Sequence, residues 1–167
     1  MVEQLLDFSR LQAGRVRVEV ARLEVAPLLH DLVGRLGDQL AEHSVVIESG
    51  AEVVWADRRA FDQVMRNLLT NAARYSEPGT SIRVVVSRRG ADVDIEVIDQ
   101  GVGIDPADHG RIFRSFYQAA PGAPGRRGVG VGLNIARRYA QLQSGHLRLS
   151  SEAGKGATFT FTLPAAA

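Results

Sequence analysis

Two asparagines and an arginine stand at i, i+4 and i+7 in RRAFDQVMRNLLTNAARY, as Asn67, Asn71 and Arg74. At about 100° per residue they share one stripe of a helix. That stripe lies apart from the apolar face of Phe61, Val64, Met65, Leu68, Leu69 and Ala72. An amide oxygen is a hard ligand suited to Mg²⁺, which keeps several waters and leans on phosphate oxygens. A guanidinium is always charged and pairs with phosphate. The same stripe also fits an ordinary solvated helix flank.

A second candidate ends the stretch DVDIEVIDQGVGID. Val93, Ile95 and Val97 alternate with Asp94 and Glu96 as in a half-buried strand, so Asp99 falls on the apolar side. A carboxylate buried without partners costs several kcal/mol. It needs donors, and a bound ligand's amino group is one candidate. Gly101 and Gly103 leave room for a close approach to the backbone. A turn-capping aspartate explains the same residues without a ligand.

The third element is GRRGVGVGLNIARRY, where Gly128, Gly130 and Gly132 lead into an apolar helix. Bare N–H groups at a helix start, with the positive end of the dipole, form an anion site. No Gly-Lys-Ser/Thr follows, and Ile135 stands where a dinucleotide fingerprint needs its third glycine. A flexible hinge is the plainer alternative.

These candidates must be held by ordered elements, and the composition allows them. Hydrophobic residues make up 45% of the 167 positions, enough for the core of one domain. The net charge of +1 gives no general pull toward nucleic acid or membrane. There is no cysteine, which excludes disulfides, thiol catalysis and thiolate metal sites. No apolar run reaches the roughly 20 residues that span a bilayer, so a cytoplasmic segment is expected, whether or not its parent is membrane-anchored.

Along the chain, VEQLLDFSRLQAG reads as the tail of a longer helix ending at Gly14. A short alternation follows at Val16, Val18 and Val20. Leu28, Leu29, Leu32, Val33, Leu36 and Leu40 make a helical stripe, with Pro27 in its first turn. SVVIES and EVVWA read as short strands, and Asp57 caps the next helix. SIRVVVS and DVDIEVID join through a tight turn at Arg88 to Gly90. A helix from Leu133 to Leu142 and the strands HLRLSS and ATFTFTLP complete the chain. Strands in hairpin pairs with interspersed helices predict an α+β fold: a mixed, mostly antiparallel sheet with helices on one face.

In order, NLLTNAARYS, DQGVGI, RIFRSFYQ and GVGVGLNIARRY resemble the N box, first glycine box, F box and second glycine box of the sensor histidine kinase ATP-binding domain. GKGATFTFTLP resembles its closing strand, and LLDFSRLQAG the end of the dimerisation hairpin before it. The likeness covers nearly the whole chain. It implies the two-layer α/β sandwich of the Bergerat type, with residues 1–14 as the hairpin end and linker and 15–167 as the catalytic domain. It also implies roles, with ATP and Mg²⁺ as cofactors. Asp99 would accept from the adenine amino group, Asn71 would hold the metal, Arg74 would face phosphate, and Tyr75 would line the nucleotide. Gly128, Gly130 and Gly132 would surround the phosphates, and Phe116 to Arg127 would form a mobile lid. The nucleotide-lining set extends to Gly101, Gly103, Ile104, Arg127, Val129, Val131, Leu133 and Thr158.

Asn67 stands where gyrase-, heat-shock- and mismatch-repair-type relatives carry a water-activating Glu. An amide lacks that basicity. Asn67, Asn71 and Arg74 are therefore the expected catalytic set for phosphoryl transfer to a histidine, which needs positioning and charge neutralisation more than a base. The expected partners are a phosphoacceptor dimerisation domain of the same protein and a response-regulator receiver domain, with no nucleic acid and no direct membrane contact. His30-Asp31 copies the acceptor dipeptide but follows the hairpin-like segment instead of preceding it, so the acceptor is expected outside this chain. His43, His109 and His146 read as surface or edge residues. The alternatives are a hydrolytic ATPase or Ser/Thr anti-sigma-type kinase on the same fold, and a non-catalytic nucleotide-gated module.

Overall fold

The computed structural model describes residues 2–119 and 128–167. Four helices are described: α1 (Val2–Gln12), α2 (Val25–Arg35), α3 (Arg58–Tyr75) and α4 (Gly132–Leu142). Seven strands accompany them: β1 (Ala21–Glu24), β2 (Ser44–Glu48), β3 (Val53–Ala56), β4 (Ser81–Arg89), β5 (Asp92–Ile98), β6 (His146–Ser151) and β7 (Ala157–Pro164). Short 3₁₀ turns lie at Gly37–Leu40 and Pro106–Asp108.

The main sheet has the order β2-β4-β5-β7-β6. Its β2–β4 pair is parallel, and the other neighbours are antiparallel. The expected α+β class and mixed, mostly antiparallel sheet are therefore observed. Period-2 patterning explains the two faces. Val93, Ile95 and Val97 of β5 and Phe159, Phe161 and Leu163 of β7 are buried, and they meet Phe61, Met65 and Leu68 of α3 and Ile135 of α4 in one core. Asp94 and Thr162 occupy the alternate positions and bond to each other at 2.5 Å.

Hairpin pairing holds for β4–β5 and β6–β7 but fails for SVVIES and EVVWA. β2 runs beside β4, while β3 pairs with β1 in a separate two-stranded sheet. Alternation says which face of a strand is apolar; it does not say which neighbour completes the ladder. The alternating valines also precede the ladder that follows them: Val16 and Val18 pack on the core, and pairing begins at Ala21. The β4–β5 ladder continues through Arg89↔Asp92, which moves the turn to Gly90 and Ala91.

Asp57 caps α3 as expected, its Oδ1 accepting from the Ala60 N–H at 2.8 Å. The histidine expectation needs correction. The His43 and His109 rings are part-buried and hydrogen-bonded to main-chain carbonyls; His146 is exposed on edge strand β6. A half-buried ring needs a local partner, and sequence spacing does not show main-chain partners.

Candidate nucleotide site

Helix α3 delivers its polar stripe to a cleft between itself, the end of β5 and the start of α4. Asn67 is almost fully buried at 7% exposure. Its Nδ2 donates to the Gln63 carbonyl at 2.8 Å, and its Oδ1 accepts from Gln4 Nε2 at 3.4 Å. One turn on, Asn71 is half-buried and its carboxamide has no hydrogen-bond partner among the described residues. Arg74 is exposed at the rim, its guanidinium against Gly128 and in no ion pair among the described residues.

Asp99 faces the same cleft from the end of β5. At 6% exposure its Oδ1 accepts from the N–H groups of Gly101 at 2.9 Å and Ala157 at 3.1 Å. Burial pushes its carboxyl above the usual carboxylate range, and those two N–H groups oppose the shift. Oδ2 accepts nothing among the described residues. Gly101 has a reason unrelated to any ligand. A side chain there would collide with the Tyr75 carbonyl where the chains bridge between Ser76 and Gly101.

The cleft has two lobes. One, of about 210 Å³, is lined by Asn71, Tyr75, Asp99, Gly103, Ile104 and Leu133, with Ile112, Tyr117 and Phe159 as further apolar wall. The other, of about 60 Å³, is lined by Asn67, Thr70, Asn71, Arg74, Gly128, Val129, Gly130 and Gly132. Asn71, Tyr75 and Leu133 border both. Helix α4 begins at Gly132 with no side-chain cap on its first N–H groups. A Cβ at Gly132 would lie 2.9 Å from Asn67 Oδ1, so a larger residue there would require the Asn67 carboxamide to shift. An apolar lobe with one buried carboxylate thus opens into a polar lobe with uncapped N–H groups, an arginine and an unpartnered amide. That division suits a purine at one end and phosphates at the other.

The profile of the histidine kinase-, DNA gyrase B- and HSP90-like ATPases matches residues 56–167. The chain belongs to this family. It is 35% identical over 170 residues to the alginate biosynthesis sensor protein KinB of Pseudomonas aeruginosa, covering 98% of this chain and 28% of that protein. It is 32% identical over 173 residues to the sensor-like histidine kinase SenX3 of Mycobacterium tuberculosis, covering 99% and 41%. The chain therefore spans less than half the length of these relatives. Among solved structures, full-length ShkA in complex with AMPPNP superposes with a TM-score of 0.83 at 27% identity, covering 99% of this chain and 35% of that one. The Acinetobacter baumannii histidine kinase AdeS shares the fold with a TM-score of 0.79 at 22% identity, covering 98% and 76%. The chain corresponds to the ATP-binding catalytic domain of the sensor histidine kinases in this ATPase family.

Two residues expected to line the family's nucleotide site stand elsewhere. Val131 is wholly buried in the core, so its side chain is not available. Thr158 lies on the sheet face opposite Ala157 and Phe159, and those two line the cleft instead. Arg127 and residues 120–126 of the expected lid lie outside the described residues. Phe116 is exposed, and Tyr117 and Gln118 border both lobes. The Tyr117 hydroxyl bonds to Asp108 and the Gln118 amide to the Gly128 carbonyl.

Sequence reasoning missed Thr70, Ile112, Ala157, Phe159 and Gln4. Thr70, at i+3 from Asn67, could have been found by helical spacing. Gln4 carried no signal: α1 docks beside α4, with Leu11 buried and Phe8 edge-on to Phe116 at 5.4 Å. Among the described residues no cluster of three His, Asp or Glu side chains could hold a metal, and no helix is long and apolar enough to cross a membrane.

Proposed function

We propose that this chain binds Mg²⁺·ATP in the cleft and transfers the γ-phosphate to a histidine of an upstream dimerisation domain of the same protein. The observation that carries this reading is that Asn71 and Asp99 line one cavity that opens onto the uncapped start of α4. The adenine amino group donates to Asp99 Oδ2, while Tyr75, Ile104 and Leu133 flank the ring. Arg74 and the N–H groups at Gly130 and Gly132 face the phosphates. The residues also fit Mg²⁺: the Asn71 amide oxygen has no partner among the described residues and faces the polar lobe. When bound, the metal neutralises charge on the phosphate oxygens.

In the transfer, the bond between the γ-phosphorus and its bridging oxygen breaks and a phosphorus–nitrogen bond forms to the imidazole. ADP leaves with the bridging electron pair. Asn67 favours this over hydrolysis, because both ends of its carboxamide are hydrogen-bonded and neither is a base. Residues 1–14 are read as the hairpin end and 15–167 as the catalytic domain, working in the cytoplasm. A receiver domain takes the phosphoryl group onward. His30 is exposed on α2 and does not line the cleft, in keeping with an acceptor elsewhere.

The test is incubation with γ-labelled ATP, Mg²⁺ and a matching acceptor hairpin. Acid-labile label on the hairpin histidine supports the reading. Steady phosphate release that ignores the hairpin would favour a hydrolytic ATPase instead.

A further inference from the structure

Asp108 and Tyr117 stand on the cleft wall without a part in the proposed transfer. The Tyr117 hydroxyl donates to Asp108 Oδ1, and Asp108 Oδ2 accepts nothing among the described residues. The Arg111 guanidinium approaches the same hydroxyl but forms no ion pair with Asp108 among the described residues. Both residues line the larger lobe, and Tyr117 also borders the smaller one.

Backbone contacts fix the pair from both ends. The Asp108 N–H donates to the Asp105 carbonyl at 2.8 Å, and the Asp108 carbonyl accepts from the N–H groups of Arg111 at 2.8 Å and Ile112 at 3.1 Å. Ile112 is itself buried. Phe116, just before Tyr117, stands at φ 65°, a left-handed conformation that is uncommon for a bulky residue. Its N–H donates to the Gly130 carbonyl at 2.7 Å, and a Cβ on Gly130 would lie 3.0 Å from the Tyr117 carbonyl oxygen. Such strain persists only where the surroundings over-determine it. Here it leaves Phe116 exposed and Tyr117 half-buried on the cleft wall.

We infer that Asp108 is a specificity-determining residue that accepts from a sugar hydroxyl of the nucleotide, with Tyr117 as the positioning residue that aims its carboxylate. The inference rests on the nucleotide reading of the cleft. A nucleotide with its base at Asp99 and its phosphates at the start of α4 carries its sugar where the lobes join. Asn71, Tyr75, Ile112, Tyr117, Gln118 and Leu133 border both lobes. Of these, Ile112 and Leu133 offer no side-chain hydrogen bond, Asn71 is the metal candidate, and the Gln118 amide nitrogen is engaged by the Gly128 carbonyl. Tyr117 leads from this junction to an open carboxylate oxygen. A ribose presents two vicinal hydroxyl donors. An ionised carboxylate only accepts, and its hydrogen bonds are charge-assisted. The site therefore prefers a ribonucleotide to its deoxy analogues. Asp105 lines the same lobe, but it is exposed and its Oδ1 accepts from the Ala107 N–H. No contact ties it to the junction among the described residues.

Calorimetry with Mg²⁺ and ATP, 2′-deoxy-ATP or 3′-deoxy-ATP tests this. Wild type should bind at least one deoxy analogue about three- to tenfold more weakly than ATP. Asp108→Ala should bind all three alike, and Tyr117→Phe, which removes only a hydroxyl, should shrink the preference. A merely structural defect would weaken all three nucleotides together and leave their ratio unchanged. Asp105→Asn should keep the wild-type ratio. Equal affinities in wild type, or a preference that survives in Asp108→Ala, would overturn the sugar contact. A ratio lost in Asp105→Asn would overturn the choice of Asp108, and an unchanged ratio in Tyr117→Phe would remove the positioning role. Wild type that binds none of the three refutes the nucleotide reading itself, an outcome distinct from equal binding of all three.

Discussion

Asn71 and Asp99 stand on two walls of one cavity, the amide from about one turn before the end of α3 and the carboxylate from the end of β5. Neither element could place them alone. β5 is held between β4 and β7, and the Ala157 N–H that steadies Asp99 comes from the first residue of β7. The adjoining bridge between Ser76 and Gly101 ties the end of α3 to the turn after Asp99. The distance between the two side chains is thus set by backbone, which is stiffer than any side-chain contact.

Asp99→Asn should separate stability from ligand binding. The amide oxygen can still accept from Gly101 and Ala157, and the burial penalty on a charge disappears. Because burial raises the Asp99 carboxyl, its charged form destabilises the fold increasingly as pH rises through and above the usual carboxylate range. The apo variant should therefore melt at or above the wild-type temperature at pH 7. ATP affinity should fall by tenfold or more, since an amide N–H would face the adenine amino group where Oδ2 stood. A thermal-shift titration reads both, and a variant that is still stabilised by ATP as strongly as wild type would refute the adenine contact.

For the wild type, the same shift predicts that ATP affinity falls as pH drops through the Asp99 titration. Calorimetry at successively lower pH should show the loss, and Asp99→Asn should flatten it. Persistence of the wild-type slope in the variant would assign the titration to another group.

Asn71→Ala should abolish the Mg²⁺-dependent part of ATP binding while leaving the apo melting temperature nearly unchanged. The carboxamide has no partner to lose among the described residues, and such changes usually fall within about 0.5 kcal/mol. Equal ATP affinity with and without Mg²⁺ is the expected signature in calorimetry. Retained Mg²⁺ enhancement would place the metal elsewhere.

Gly101→Ala should destabilise the fold by about 1–3 kcal/mol, the usual range for forced overpacking. The added methyl meets the Tyr75 carbonyl, a main-chain atom that cannot swing aside. Urea unfolding without nucleotide measures this, and a stable variant would show that the bridge has slack.

Phe8→Ala should loosen α1 by about 0.5–1.5 kcal/mol, the usual value of an aromatic pair beyond its area. Burial raises the Asp7 carboxyl, with Arg10 opposing, so the docked helix favours the protonated form. Its docking should tighten as pH falls through the carboxylate range and weaken as pH rises above it. Hydrogen exchange of residues 2–12, corrected for intrinsic pH dependence, would detect both effects; identical protection in the variant would mean that the Phe8–Phe116 contact is idle.

The sequence by itself determined the elements and the polarity of each face. Asn67, Asn71 and Arg74 follow from helical spacing, inward Asp99 from strand alternation, and the capping role of Asp57 from its place before an amphipathic run. These signals are local, because they depend on the 3.6- and 2-residue periods of a single element. Tertiary structure alone decided what required two elements to meet. It paired β2 with β4 in parallel instead of with β3, and it brought the Ala157 N–H to Asp99 and Gln4 to Asn67. It buried Val131, turned Thr158 to the far face of the sheet, and set His43 between two carbonyls. Each of these depends on long-range packing, for which periodicity within one segment holds no information.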